Sequence, residues 1–258
     1  MNPLATLPLV LFVVLFELAV GGAILAFVLE RVVDTPLGFL RLTAVVDAAA
    51  AAFAVLIVPS LPQSAELVGR IAYVVVALML VAFLATWTPW RGLRSFVNGV
   101  AALAGLALLV LASTARDGSA YAYDVSALVA LPLGALSLGG VDAAMLLGHW
   151  YLVTPKLSPR PLQAAALLFF LALVLQAGML ALGASRGFVQ IAWEANAVAT
   201  ILRIFVGIAA PLPIALAAWW TARLNTQSST GLLYVALGMV LAGEIMARMI
   251  FYVSGVPI

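Results

Sequence analysis

The sequence predicts an all-α integral membrane protein with about eight transmembrane helices. Of its 258 residues, 66% are hydrophobic and only 9% are charged, whereas soluble domains carry roughly 25% charged residues. Lipid must therefore solvate most of the surface. In lipid the backbone satisfies its own hydrogen bonds only in helices or closed barrels. The apolar runs last about 20 residues and do not alternate with polar residues, which favours helices.

The eight predicted spans follow from the lengths of the apolar runs and from the Pro, Gly and charged residues between them. They cover residues 8–29, 39–58, 68–88, 93–113, 125–150, 162–183, 191–221 and 230–254. The seventh is long and contains Pro211 and Pro213. It is therefore expected to kink, or to end along the membrane interface. Because the stretches between the runs are short, residues 1–258 are expected to form a single transmembrane domain.

Several classes of function are excluded by composition. The chain has no cysteine, which excludes disulfides, cysteine-ligated zinc and protein-ligated iron–sulfur clusters within it. The net charge is +2, and no basic run indicates a nucleic-acid partner. No phosphate-binding glycine loop, HExxH motif or nucleophile elbow is present. The first apolar run lacks the marks of a cleaved signal, so we interpret it as a retained helix.

The distribution of Lys and Arg predicts the orientation. With eight spans both termini lie on one side, whose loops hold Arg70, Arg116 and Arg186. The other side holds seven basic residues: Arg31, Arg41, Arg91, Arg94, Lys156, Arg160 and Arg223. The positive-inside rule then places both termini outside the cytoplasm. We expect a multi-pass protein of a bacterial-type cytoplasmic (inner) membrane.

A weak internal repeat is also visible. The segment 18–23 (LAVGGA) is echoed by 136–141 (LSLGGV), at an offset of 118 residues (139 minus 21). The same offset roughly maps spans two to four onto spans six to eight. It predicts parallel halves, residues 1–118 and 119–258, each a four-helix bundle. A double glycine is common in membrane helices, so a chance echo remains the alternative.

Ionisable and polar residues inside the spans are the candidate functional groups, because each charge costs at least ~2.5 kcal/mol at mid-membrane unless it is paired or hydrated. Glu244 and Arg248 are four residues apart, in the order that favours an ion pair. One interpretation is a structural salt bridge. The other is a pocket for a quinone headgroup, formed by Glu244, Arg248, Glu194, Arg203 and Gln176.

The remaining candidates predict a proton relay formed by Asp47, Asp142, His149 and Glu17. Asp142 and His149 are seven residues apart and share a helix face. His149 is the only histidine and precedes Trp150 and Tyr151, so an interfacial hydrogen-bonding role is the alternative. A single histidine excludes bis-histidine haem within one chain, whereas histidine–methionine ligation stays open. No metal site is predicted.

The last span contains the pattern G-E-x-x-x-R-x-x-F-Y, from Gly243 to Tyr252. It resembles the final helix of the membrane-anchor subunits of dimethyl-sulfoxide and polysulfide reductases, the NrfD-like superfamily. The opening segment 15–22 (LFELAVGG), with Glu17 and an apolar stretch before glycine, is similar to the first helix of that family. Eight spans with both termini outside also agree with it. The segment from Gly148 to Leu152 has no counterpart, and the chain is short for the family.

The resemblance implies a subunit that binds menaquinol or ubiquinol between its helices and holds no cofactor of its own. It implies that electrons pass to an iron–sulfur partner, which feeds a molybdenum-containing catalytic subunit. Glu244 and Arg248 lie on the matched motif. The subunit would either oxidise quinol or serve only as a non-catalytic anchor. Two alternatives remain open: a proton-coupled secondary transporter or permease, and a b-type haem protein that uses His149.

Overall fold

The computed structural model describes residues 3–115, 124–154 and 157–258, and this part of the chain contains helices and no strand. The helices are α1 (Pro3–Val32), α2 (Leu37–Leu56), α3 (Glu66–Ala85), α4 (Arg91–Thr114), α5 (Val125–Val153), α6 (Arg160–Ser185), α7 (Phe188–Ala195), α8 (Ala197–Ile201), a π-helix (Leu202–Ala209), α9 (Pro211–Ala222) and α10 (Thr226–Ser254). Short 3₁₀ turns, Val58–Ser60 and Gln63–Ala65, join α2 to α3.

Within the described residues, eight helical segments are long and apolar enough to cross a membrane. They agree with the eight predicted spans to within a few residues, except at the start of the seventh. The prediction of an all-α membrane fold is therefore confirmed.

Polar side chains define where several helices begin. The Asp124 carboxylate accepts a hydrogen bond from the Ser126 amide at the start of α5. Asn196 caps α8 through the Ala199 amide, and Asn225 caps α10 through two backbone amides. Each side chain satisfies amide groups that have no partner within the first turn of a helix.

The seventh span differs from the prediction of one segment over 191–221. The backbone is extended at Asn196 (φ −163°), so α7 ends there and the membrane-spanning part covers Ala197–Ala222. The middle of this span is the π-helix, in which the Ala210 amide donates to the Phe205 carbonyl at 2.9 Å. Pro211 and Pro213 have no amide hydrogen to continue the normal α-helical ladder, which accounts for the irregularity.

Helix α1 lies at the centre of the bundle, with 78% of its most apolar stretch buried. It packs most extensively along α5, where Gly21 meets Gly139, and also contacts α2, α4 and α10. α5 in turn contacts α6 and α10, as α1 contacts α2 and α4. The similarity between the two halves is compatible with the predicted repeat, which stays a prediction.

The end of the bundle opposite the termini carries arginines stacked on aromatic rings. The guanidinium of Arg41 lies 4.1 Å from the centre of the Trp87 ring, and that of Arg223 lies 3.7 Å from the centre of the Trp220 ring. Such pairs are typical of an interface between water and hydrocarbon. Arg116 and Lys156, both used in the predicted orientation, lie outside the described residues. The orientation itself stays a prediction.

Candidate functional site: a central ion cluster and an acid pair

Four charged side chains, carried by α1, the π-helix and α10, meet near the middle of the bundle. They are Glu17 on α1, Arg203 on the π-helix, and Glu244 and Arg248 on α10. None is more than 3% exposed. We call these four residues the central ion cluster. It brings together the two segments that carry the family resemblance, because Glu17 belongs to one and both α10 residues belong to the other.

Glu244 is the carboxylate of the cluster whose two oxygens both accept hydrogen bonds. Its Oε1 atom accepts from Arg203 Nη1 at 2.8 Å, from Gln176 Nε2 at 2.6 Å and from Ser137 Oγ at 3.2 Å. Its Oε2 atom accepts from Arg248 Nη2 at 2.7 Å. Four donors from four helical elements therefore hold one carboxylate. This arrangement strongly favours the ionised form of Glu244.

Glu17 has a different environment, although it is equally buried. Its Oε1 atom lies 2.9 Å from Arg248 Nε, so the two side chains form an ion pair. The N–H group is not directed at the oxygen, however, and neither Glu17 oxygen receives a hydrogen bond from the described residues. A Cβ atom on Gly134 would lie 2.6 Å from both Glu17 Oε1 and Arg248 Nη2. Glycine at position 134 thus makes room for this contact.

The cluster is electrically balanced and closely packed. When all four groups are ionised, two carboxylates face two guanidiniums, and Arg203 Nε and Arg248 Nη2 also donate to the backbone oxygens of Ile258 and Ala130. The adjoining cavity, lined by Gln176, Arg203 and Arg248, has a volume of ≈ 10 Å³. That space holds about one water molecule. A quinone ring would enter only if the cluster opened.

Glu194 does not join the other residues predicted for the headgroup pocket. It lies on α7, is exposed and accepts a hydrogen bond from Gln190 Nε2 at 2.8 Å. The break at Asn196 separates α7 from the membrane-spanning part of the seventh segment, which explains its position. The structure brings Gln176, Arg203, Glu244 and Arg248 together. It also adds Glu17, which the sequence grouped with the relay residues.

Asp47 on α2 and Asp142 on α5 form a second buried group, here called the acid pair. They are 4% and 6% exposed, and the two helices that carry them contact each other. Asp47 Oδ1 and Asp142 Oδ2 receive no hydrogen bond from the described residues. Asp47 reaches across to α1, where its carboxylate occupies the space that a side chain on Gly22 would take.

A polar cavity of ≈ 20 Å³ leads from Asp47 towards the end of the bundle opposite the termini. Its wall includes Asn98, Thr86, Glu30 and Arg94. Arg94 Nη2 lies 2.5 Å from Glu30 Oε1, and both side chains are nearly buried. The sequence predicts a loop position for Arg94, because this residue lies at the very edge of an apolar run. The structure instead folds Arg94 inward against Glu30.

His149 lies apart from the acid pair. Its side chain is exposed, and Nδ1 is 2.9 Å from the hydroxyl oxygen of Tyr234 on α10. Asp142 is two helical turns away, about 10 Å along the axis, and faces the interior. The structure does not bring His149 into contact with Asp47 or Asp142. Its observed contact agrees with the interfacial hydrogen-bonding interpretation.

A lateral apolar cavity of ≈ 190 Å³ lies between α1, α5 and α6. Gly21, Gly140 and Phe169 form its inner wall, and Leu171 and Leu175, which are exposed, form part of its rim. It therefore opens towards the hydrocarbon.

The described residues contain no group of three metal-ligating His, Cys, Asp or Glu side chains. Comparison with protein-family models, curated proteins and solved structures finds no match.

Proposed function

We propose that this chain is a quinol- or quinone-interacting membrane subunit of a reductase-type electron-transfer complex, and that Glu17 handles protons within it. The observation that carries the proposal is the buried contact between Glu17 and Arg248, in which neither Glu17 oxygen is hydrogen-bonded. Both residues lie on the segments that resemble the NrfD-like anchors.

Oxidation of quinol releases protons as well as electrons, so a buried site needs a group that takes up the protons. Within the central ion cluster, protonation of Glu244 would leave two arginines without their shared partner and would weaken four hydrogen bonds. Protonation of Glu17 breaks no hydrogen bond, and Arg248 keeps its bond to Glu244. Glu17 is therefore the less costly proton acceptor of the two carboxylates.

The lateral cavity offers a route of approach from the bilayer. Gly21, on its wall, lies one helical turn from Glu17 on α1. An apolar quinone tail fits the apolar wall of this cavity, since both favour removal from polar surroundings. Entry of the quinone ring requires the central ion cluster to open. Arg203 of this cluster lies on the π-helix, and π-helical segments are frequent at functional sites.

The proposal includes the location and the partners. The chain lies in a bacterial-type inner membrane with both termini outside the cytoplasm. It passes electrons to an iron–sulfur subunit, which serves a catalytic subunit. The quinone is a bound substrate, and the chain itself holds no cluster and no haem.

The test uses membranes that contain the chain together with its native partners. Glu17→Gln, Glu244→Gln and Arg248→Leu are each expected to lower quinol oxidation, while membrane insertion is retained. Glu66→Gln is the matched control, because Glu66 forms an exposed ion pair with Arg70. Mass spectrometry of the purified chain is expected to detect bound quinone. Full activity in all three cluster variants would overturn the proposal.

A second candidate is a proton-coupled permease, which the acid pair favours because its two carboxylates are buried without hydrogen bonds. Co-purification with an iron–sulfur subunit would support the first function. A chain that purifies alone, lacks quinone and drives solute uptake in liposomes under an imposed pH gradient would support the second. A haem absorption band would instead support the b-type haem protein.

A further inference from the structure

Residues 255–258 follow α10 and fold back onto the central ion cluster. Gly255 takes the left-handed conformation (φ 80°), which commonly ends a helix and turns the chain aside. Val256 is fully buried, and Ile258 is only 5% exposed. The Ile258 backbone oxygen accepts a hydrogen bond from Arg203 Nε at 3.1 Å. This segment therefore uses a hydrogen-bond donor of the cluster itself.

The cavity of ≈ 10 Å³ beside the cluster is closed by Ile258. Its polar wall is formed by Gln176, Arg203 and Arg248. Ala130, also in the wall, follows the start of α5 by five residues, which is about 8 Å along the helix axis. The cavity thus lies near the end of the bundle that carries the termini. Withdrawal of Ile258 would enlarge it.

The same two helices, α5 and α6, line both this cavity and the lateral apolar cavity. Leu133 and Met179 line the cavity closed by Ile258, and Leu136 and Leu175 line the lateral one. On each helix the two positions are about one turn apart. A ligand whose apolar tail lies in the lateral cavity would therefore place its polar head beside the central ion cluster, where Ile258 lies.

The 255–258 segment packs with α7 in a small hydrophobic cluster apart from the main core. The buried members of this small cluster are Phe188, Ala192, Ala199, Ile250, Val256 and Ile258. Helix α7 is bounded by the left-handed Gly187 (φ 77°) and the extended Asn196. A few such residues at the ends of an element are typical hinges. A small cluster of this kind also costs less free energy to open than the main core.

We infer that α7 and residues 255–258 form a lid, in which the Ile258 backbone oxygen holds the place of a quinone carbonyl oxygen at Arg203 Nε. Both oxygens are hydrogen-bond acceptors, so the same N–H group serves either one. Arg203 Nη1 keeps its bond to Glu244 when the exchange takes place, and the ion pair is retained. The inference rests on the proposed function, because it names the position at which that site binds the headgroup.

Thiol labelling of the purified chain in detergent tests the lid, because the chain has no cysteine of its own. Ala130→Cys places a thiol in the wall of the closed cavity. Ala127→Cys, at a fully buried position one turn away on α5, is the matched control. Ile258→Ser weakens the packing of the lid, and we expect it to raise the rate of maleimide labelling of Ala130→Cys about tenfold. The rate for Ala127→Cys should stay unchanged.

Ubiquinone-1 is the probe for the headgroup, because its fully substituted ring offers a thiol no free position. It should bind more tightly to Ile258→Ser than to the wild-type protein, and it should slow the labelling of Ala130→Cys in that background. Size-exclusion chromatography checks folding. If Ile258→Ser aggregates, the milder Ile258→Ala provides the same comparison.

The lid is overturned if labelling of Ala130→Cys does not respond to Ile258→Ser, or if Ala127→Cys is accelerated equally, since the whole fold would then have loosened. Equal affinity of ubiquinone-1 for the wild-type protein and Ile258→Ser would also overturn it, while the proposed function would stand. If ubiquinone-1 binds to neither protein, the headgroup position at Arg203 and the proposed function fail together.

Discussion

Glu17 Oε1 lies 2.9 Å from Arg248 Nε without forming a hydrogen bond, whereas Arg248 does donate one to Glu244 at 2.7 Å. One arginine thus contacts two buried carboxylates that differ sharply in how well they are satisfied. This difference predicts that replacement of the acid by glutamine lowers the stability of the protein more at Glu244 than at Glu17.

Glu244→Gln is expected to destabilise the protein by about 3–5 kcal/mol, because removal of one partner leaves Arg203 and Arg248 as buried charges with too little compensation. The measurement is thermal unfolding of the purified chain in detergent. Glu66→Gln, at an exposed pair, should change stability by no more than about 1 kcal/mol. Equal effects of the two substitutions would contradict the structural role of Glu244.

Glu17→Gln is expected to destabilise the protein less than Glu244→Gln, by at least about 1 kcal/mol, since no hydrogen bond to Glu17 is lost. The same unfolding experiment provides the comparison. If Glu17→Gln proves the more damaging variant, the ion pair with Arg248 matters more than hydrogen bonding, and the assignment of Glu17 as proton acceptor fails.

Gly134→Ala is expected to destabilise the protein by about 1–3 kcal/mol, because the added methyl group would lie 2.6 Å from both Glu17 and Arg248. Gly178→Ala is the matched control, since nothing lies within 4 Å of a Cβ at that position in α6. Alanine has the higher helix propensity, so the control should be neutral or stabilising. Similar stabilities for both variants would count against the close contact at Gly134.

The ion pair between Asp124 and Arg186 predicts a dependence on pH. Hydrogen bonds from the Arg186 guanidinium, followed by those from Ser126, hold the pKa of the Asp124 carboxyl below its ordinary value. Its contribution to stability is therefore complete above the unfolded-state pKa of about 3.9 and is lost as the pH falls below that value.

Asp124→Asn retains a capping side chain at the start of α5 while removing the charge. The difference in unfolding temperature between the wild-type protein and this variant should be constant above about pH 5 and should shrink as the pH falls below the unfolded-state pKa of about 3.9. A difference that stays constant down to the lowest pH at which the protein remains folded would show that the pair does not titrate as expected.

The sequence by itself determined the membrane fold and the approximate position of each span. A segment that crosses the hydrocarbon must be a long apolar helix, and the length of each apolar run in the sequence therefore shows where such a helix lies. The sequence also identified Glu244 and Arg248 as an ion pair, because helical spacing alone brings residues four apart together. The kink expected from Pro211 and Pro213 appears as the π-helix, but the break at Asn196 was missed.

Only the tertiary structure decided which distant residues meet. It joined Glu17 to Arg248, left Glu194 on the exposed α7, separated His149 from Asp142, and paired Arg94 with Glu30. Each of these outcomes depends on how neighbouring helices are rotated about their axes and how closely they approach. In this protein glycines such as Gly22 and Gly134 set that approach, and spacing along one helix contains no information about the face presented to another.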